Sequence, residues 1–100
     1  RVIKDKVIHL KNEGVKDVSI YGINHISEVL FIVLKELGLE VDSVVDEKKE
    51  GKEWFGYKVI GMDQFVKSNT GVLIIASFDK EKIDGFCKEQ ENVKVVALRE

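Results

Sequence analysis

Proline is absent from the 100 residues, and cysteine occurs once, at Cys87. Without proline, nothing marks a stiff proline-rich linker. A single cysteine excludes an internal disulfide and any zinc site built on several thiolates. Long apolar runs are missing as well. The longest, residues 29–34, is six residues, against the roughly 20 that a membrane-spanning helix needs. Neither sign of charge dominates: 16 Lys and Arg stand against 18 Asp and Glu, a net charge of −2. That balance excludes a simple electrostatic nucleic-acid binder, which needs a clustered basic excess. The one dense charge run, DEKKEGKE at 46–53, mixes signs and reads as a solvated loop. No internal repeat or low-complexity segment occurs.

What is present is globular. Apolar residues make up 44% and charged residues 34%, and a chain of this length buries about two-thirds of its unfolded surface in one core. A single domain over 1–100 is therefore expected. The chain starts at Arg1 rather than Met, so the expectation is a piece of a longer protein, with a leading helix over 1–14 as the link to a preceding domain. No signal-peptide pattern is seen, and the cytoplasm is the expected compartment.

Short apolar runs alternate with helical patterns. Ile3, Val7 and Leu10 recur at i, i+4 and i+7, predicting a helix over 1–13. Ile26, Leu30, Val33 and Leu37 form the stripe of a second helix over 25–37, which Gly38 is placed to end. Shorter patterns predict helices over 62–67 and 79–90, the latter carrying Ile83, Phe86 and Cys87 with Asp79 as its N-cap and Gly85 as a weak point. Strands are expected over 17–22, 40–46, 57–60, 71–76 and 93–98. Apolar runs that do not alternate, of which residues 72–76 are the purest, suit strands buried on both faces of a parallel sheet. The order implies an α/β fold: a small Rossmann-like three-layer sandwich with a mostly parallel sheet of four to five strands.

In such a sheet ligands bind beyond the C-terminal strand ends, where the strand order reverses. The turn after the first strand reads Tyr21-Gly22-Ile23-Asn24-His25-Ile26-Ser27. Against the dinucleotide fingerprint G-x-G-x-x-G/A, Gly22 supplies the first glycine, Asn24 replaces the second and Ser27 the third. The second glycine exists so that backbone can approach a pyrophosphate, and Asn24 adds a side chain there. Asn24 is equally suited to cap the following helix. Asp46 lies 24 residues after Gly22, near the place, about 20 residues on, where an acid holds a ribose hydroxyl. The alternative is an acid that simply opens the charged loop.

His25, in the first turn of the second helix, is a ligand contact or a surface histidine. Ser77 follows the 71–76 strand and faces the same crevice, as a ligand contact or a strand terminator. Gly22, Asn24, His25, Asp46 and Ser77 are thus the candidate cofactor-binding residues, with NAD(P) or a nucleotide sugar as candidate ligands. No metal-ligand spacing, Ser-His-Asp arrangement or G-x-S-x-G is visible, and no catalytic residue is assigned. Phe31 and Ile32 lie off the main stripe of the second helix, roughly 140° and 240° from Ile26 at 100° per residue. Either the first helix covers them, or a homodimer or another domain does. Trp54 and Tyr57 flank Gly56 and are placed to cover an edge of the sheet.

The order YG at 21–22, VVD at 44–46, FGYKVI at 55–60 and IIAS at 74–77 resembles small Rossmann-like domains of bacterial surface-polysaccharide systems. The likeness spans about residues 15–98. The leading helix over 1–14, running straight into the YG strand, is most like the C-terminal domain of winged-helix, MarR-type transcription regulators found with exopolysaccharide and lipopolysaccharide genes. The order of motifs is also similar to the small nucleotide-binding domains of nucleotide-sugar dehydratases and sugar acetyltransferases, and to the non-catalytic C-terminal domain of some sugar C-methyltransferases. Those families carry YGAGEIAE-like text where this chain has YGINHISE, so Gly22, Ser27 and Glu28 match while Asn24 and His25 depart. The resemblance implies a non-catalytic ligand-sensing or dimerisation domain of a regulator, touching DNA only through a preceding domain. Its alternative is a nucleotide-binding domain of an enzyme of polysaccharide biosynthesis. No membrane partner is expected.

Overall fold

The computed structural model describes residues 2–68, 71–79 and 93–98. It is an α/β unit built on one four-stranded parallel sheet flanked by helices. In chain order the elements are α1 (Val2–Asn12), β1 (Asp17–Tyr21), α2 (His25–Glu36), β2 (Glu40–Val45), β3 (Glu53–Trp54), β4 (Tyr57–Lys58), α3 (Met62–Ser68), β5 (Val72–Ile75) and β6 (Lys94–Ala97), with a 3-10 turn at Glu47–Lys49. The sheet order is β2-β1-β5-β6. The small-Rossmann architecture expected from the apolar runs is the one observed. The helix expected over 79–90 lies outside the described residues beyond Asp79, and with it Ile83, Gly85, Phe86 and Cys87.

Helix formation follows the apolar spacing. Ile3, Val7 and Leu10 of α1 and Leu30, Val33 and Leu34 of α2 are buried, on one side of the sheet with Val18, Ile20, Val41, Val44 and Ile74. Val45, Phe65, Leu73 and Val93 pack together as a second cluster. Adjacent residues of a strand point to opposite faces, so Val44 and Val45 divide between the two clusters. Val41 and Val44, three apart, share a face because the β1–β2 register shifts between Val18 and Ile20, where an extra residue enters β2. Gly38 ends α2 at φ +81°. Its N–H donates to the Lys35 carbonyl at 3.2 Å and that of Leu39 to Leu34 at 2.9 Å, the left-handed stop that glycine takes without a Cβ penalty.

The strand expected over 57–60 takes two roles. Tyr57–Lys58 pairs antiparallel with Glu53–Trp54 as a separate ribbon. Ile60 then makes a single parallel bridge to Val45, with its N–H on the Val44 carbonyl at 2.9 Å and its carbonyl accepting from Asp46 N–H at 3.0 Å. The ribbon turn is Phe55-Gly56, both with positive φ, +48° and +86°, as a two-residue hairpin turn that follows sheet twist requires. Phenylalanine is a poor occupant of that conformation. It is held there by a parallel stack on Phe31 of α2, ring centres 4.8 Å apart. Trp54 and Tyr57 approach the same Phe31 edge-on at 5.4 and 6.1 Å. The ribbon therefore covers Phe31, rather than the first helix, because its turn projects the rings back onto α2. Ile32 remains 55% exposed. Among the described residues, no helix is long and apolar enough to cross a membrane.

Candidate functional site

The strand order reverses between β1 and β5. The chain leaves β1 through α2 to reach β2, then returns past β1 to form β5 on its other side. The crevice that this reversal opens lies between Gly22 and Ala76. Backbone bonds fix its two lips: Ala76 N–H donates to the Tyr21 carbonyl at 2.9 Å, and Gly22 N–H to the Val45 carbonyl at 2.8 Å. Gly22 has φ +102°. A Cβ built on it would meet nothing nearer than 3.6 Å, so glycine is required by the backbone angle and not by a close neighbour.

Asn24 sits where the fingerprint has its second glycine, and its side chain fills that space. Its Oδ1 accepts from Ile26 N–H at 2.8 Å and Ser27 N–H at 3.1 Å. Its Nδ2 donates across the crevice to the Ala76 carbonyl at 2.9 Å. Ser27 completes the cap: its Oγ accepts from Asn24 N–H at 2.8 Å and donates to the Asn24 carbonyl at 2.8 Å. A pyrophosphate in a Rossmann crossover rests on the free amides of this first helical turn. Here those of Ile26 and Ser27 are bonded to the chain's own amide side chain. The residues present do not fit a dinucleotide pyrophosphate in this arrangement.

Asp46 is in the crevice wall and works as a backbone clamp. Its Oδ2 accepts from Ile23 N–H at 2.8 Å and its Oδ1 from Lys48 N–H at 2.9 Å, capping the 3-10 turn. Lys49 Nζ donates to the Ile23 carbonyl at 3.2 Å, so both polar groups of Ile23 are held from the β2 side. Ser77 turns the chain after β5: its N–H donates to the Ile75 carbonyl at 3.0 Å, and its Oγ accepts from Asp79 N–H at 3.0 Å. The structure thus brings Gly22, Asn24 and Asp46 together around one turn, with Ser77 beside Ala76. His25 stands apart. Its imidazole is fully exposed, 3.5 Å from Glu28 one turn on.

Sequence reasoning missed a second polar centre below the crevice. Glu47 Oε1 accepts from Met62 N–H at 2.6 Å and so caps α3 from 15 residues away. Gly61 lies against the same carboxylates. A Cβ there would come within 2.7 Å of Glu50 Oε1 and 3.4 Å of Glu47 Oε2. Burial pushes the Tyr21 phenol above its ordinary pKa, and the negative charges of Glu47 and Asp46 push it further. The only sequence signal for this centre was the acid-rich text at 46–50, which also fits a plain loop. A shallow depression next to it is lined by Glu50, Lys58 and Gln64 with Gly51, Val59 and Ile60. Among the described residues, no group of three or more His, Cys, Asp or Glu side chains is placed to hold a metal ion.

No protein family matches the chain, and no curated protein or solved structure matches it either.

Proposed function

We propose that this chain is a non-catalytic module of a bacterial transcription regulator, joining protomers rather than turning over a substrate. The setting rests on the order of motifs together with a leading helix that runs straight into the YG strand, a combination that resembles the C-terminal domains of winged-helix, MarR-type regulators. The non-catalytic role rests on one observation: the Asn24 side chain fills the phosphate seat of the β1–α2 turn and bonds Ile26 N–H, Ser27 N–H and the Ala76 carbonyl. A ligand phosphate entering there must displace three hydrogen bonds that already satisfy the helix terminus and the far lip. Of the two roles a regulator domain of this kind can take, sensing a nucleotide and pairing protomers, the filled seat favours pairing.

A second reading, the nucleotide-binding half of a polysaccharide-biosynthesis enzyme, is favoured by the left-handed Gly22 and by Asp46 at the end of β2. Thermal shift separates the two. The panel is NAD, NADP, S-adenosylmethionine, coenzyme A, and uridine and guanosine diphosphate sugars. A ligand at 100 times its dissociation constant adds about 2.7 kcal/mol, a shift of several degrees for a domain of this size. The expected result is no shift with any of them. A clear shift with a nucleotide overturns the pairing role and makes the second reading the better one.

A further inference from the structure

We infer that the solvent face of α2 is a self-complementary surface on which a second copy of this chain docks antiparallel, Ile32 against Ile32. The inference deepens the proposed pairing role and rests on it. Along α2, residues 25, 28, 29, 32, 35 and 36 point away from the sheet, and all are exposed. Val29 is 49% and Ile32 55% exposed. They make an apolar centre, and the charges around it are not random in sign. At 100° per residue, Glu28 and Lys35 fall on one flank of Ile32, and Val29 and Glu36 on the other.

A two-fold axis across the helix, near residues 31–32, reverses the helix direction and keeps each flank facing the same flank. It sets Glu28 against Lys35 of the second copy and Lys35 against Glu28, because the two lie about equally far from the axis. A parallel pairing, with its two-fold along the helix, instead exchanges the flanks: Lys35 then faces Glu36 of the second copy, and Glu28 faces Val29. The antiparallel arrangement is the one of the two that gives both Glu28 and Lys35 a partner of opposite sign on the second copy.

Within one chain these groups are only loosely engaged at the surface. Lys35 is 3.7 Å from Glu40 and His25 3.5 Å from Glu28, and exposed pairs of this kind hold little. The Glu28–Lys35 flank is also the ribbon side, where Phe55 lies stacked on Phe31 and 54% exposed. The two-fold brings the two ribbons to the same side of the helix pair, extending the apolar strip. A face of one 12-residue helix plus a ribbon tip is at the small end of specific interfaces, so the association is weak and concentration-dependent.

The test is sedimentation equilibrium of the full chain from roughly 10 μM to 1 mM, with far-UV circular dichroism as a folding control. A monomer–dimer equilibrium is expected. Ile32→Glu should weaken it about tenfold or more. Glu28→Lys and Lys35→Glu should each weaken it about three- to tenfold, since the symmetry repeats each pair twice, and the double exchange should restore it. Salt should weaken the wild type and the double exchange alike. A chain that stays monomeric at 1 mM overturns the inference, and so does a dimer indifferent to the charge exchanges. The outcomes separate the two claims: a dimer indifferent to the α2 substitutions defeats this interface alone, a chain that stays monomeric defeats the pairing role with it, and nucleotide binding in the ligand panel defeats the proposed function whatever the oligomeric state.

Discussion

Helices α2 and α3 both start near the strand ends of the sheet, and both have N-terminal amides covered by a side chain, but the side chains come from different distances. Asn24 is the residue next to α2, and with Ser27 it closes a reciprocal cap within four residues. Glu47 reaches α3 from 15 residues upstream, across the 3-10 turn and the ribbon. The first device is written in adjacent letters and forms as soon as the helix does. The second exists only when β2, the ribbon and Gly61 are already in place. A local cap is therefore part of what specifies its helix, while a distant one reports that the surrounding chain has folded.

The largest break in this contrast is expected from Asn24→Ala. It removes the cap of α2 and the bond to Ala76 together, and should cost about 2 kcal/mol by urea denaturation. Asn24→Asp keeps the capping oxygen and loses the donor to Ala76, so it should fall between wild type and alanine. Phe31→Ala takes away the platform of the Phe55 turn. A loss of about 1.5 kcal/mol is expected, with faster hydrogen exchange at Val59 and Ile60 N–H than at β1. Should β1 and the ribbon loosen equally, the ribbon is not a separately anchored piece.

Glu47→Gln tests the distant cap in its turn. It weakens a single charge-assisted bond and should cost about 0.5–1 kcal/mol, less than Asn24→Ala. It should also lower the Tyr21 pKa, measured by ultraviolet titration in a Tyr57→Phe background. The folded phenol has a pKa raised above the unfolded value of about 10. Folding thus favours the protonated form, and that contribution is complete below pH 10 and lost as pH rises through the folded pKa. Glu47→Gln should make this alkaline loss smaller; an unchanged titration would show that its charge does not reach the phenol.

The same contrast explains what could be read from the letters. The strands of the main sheet, helices α1 to α3 and the reversal at Gly22 follow from apolar spacing and glycine placement, which are local. Asn24 as a cap was legible because the residue precedes the helix stripe; its second bond, to Ala76 52 residues away, was not. The spacing from Gly22 points to Asp46, just past the end of β2, but nothing in that spacing says that its carboxylate accepts from the backbone amides of Ile23 and Lys48. The ribbon was only half visible. A two-residue hairpin turn normally carries Asn-Gly or Asp-Gly, and Phe55-Gly56 does not announce one. Its conformation is enforced by Phe31, 24 residues earlier, a contact that no local pattern encodes. Glu47 and Gly61 were missed for the same reason.

The bridge between Ile60 and Val45 has a bearing on how the molecule behaves in a crowded solution. β2 is the outer strand on its side of the sheet and ends in two valines, the kind of segment onto which another chain can add a strand and start aggregation. Ile60 already occupies the Val44 carbonyl and the Asp46 N–H along that edge. The other half of the strand presents exposed Glu40 and Asp42, whose charges repel an incoming apolar strand. Ile60 is thus a guard against misassociation: it closes the apolar end of an open edge and leaves the acidic end to protect itself.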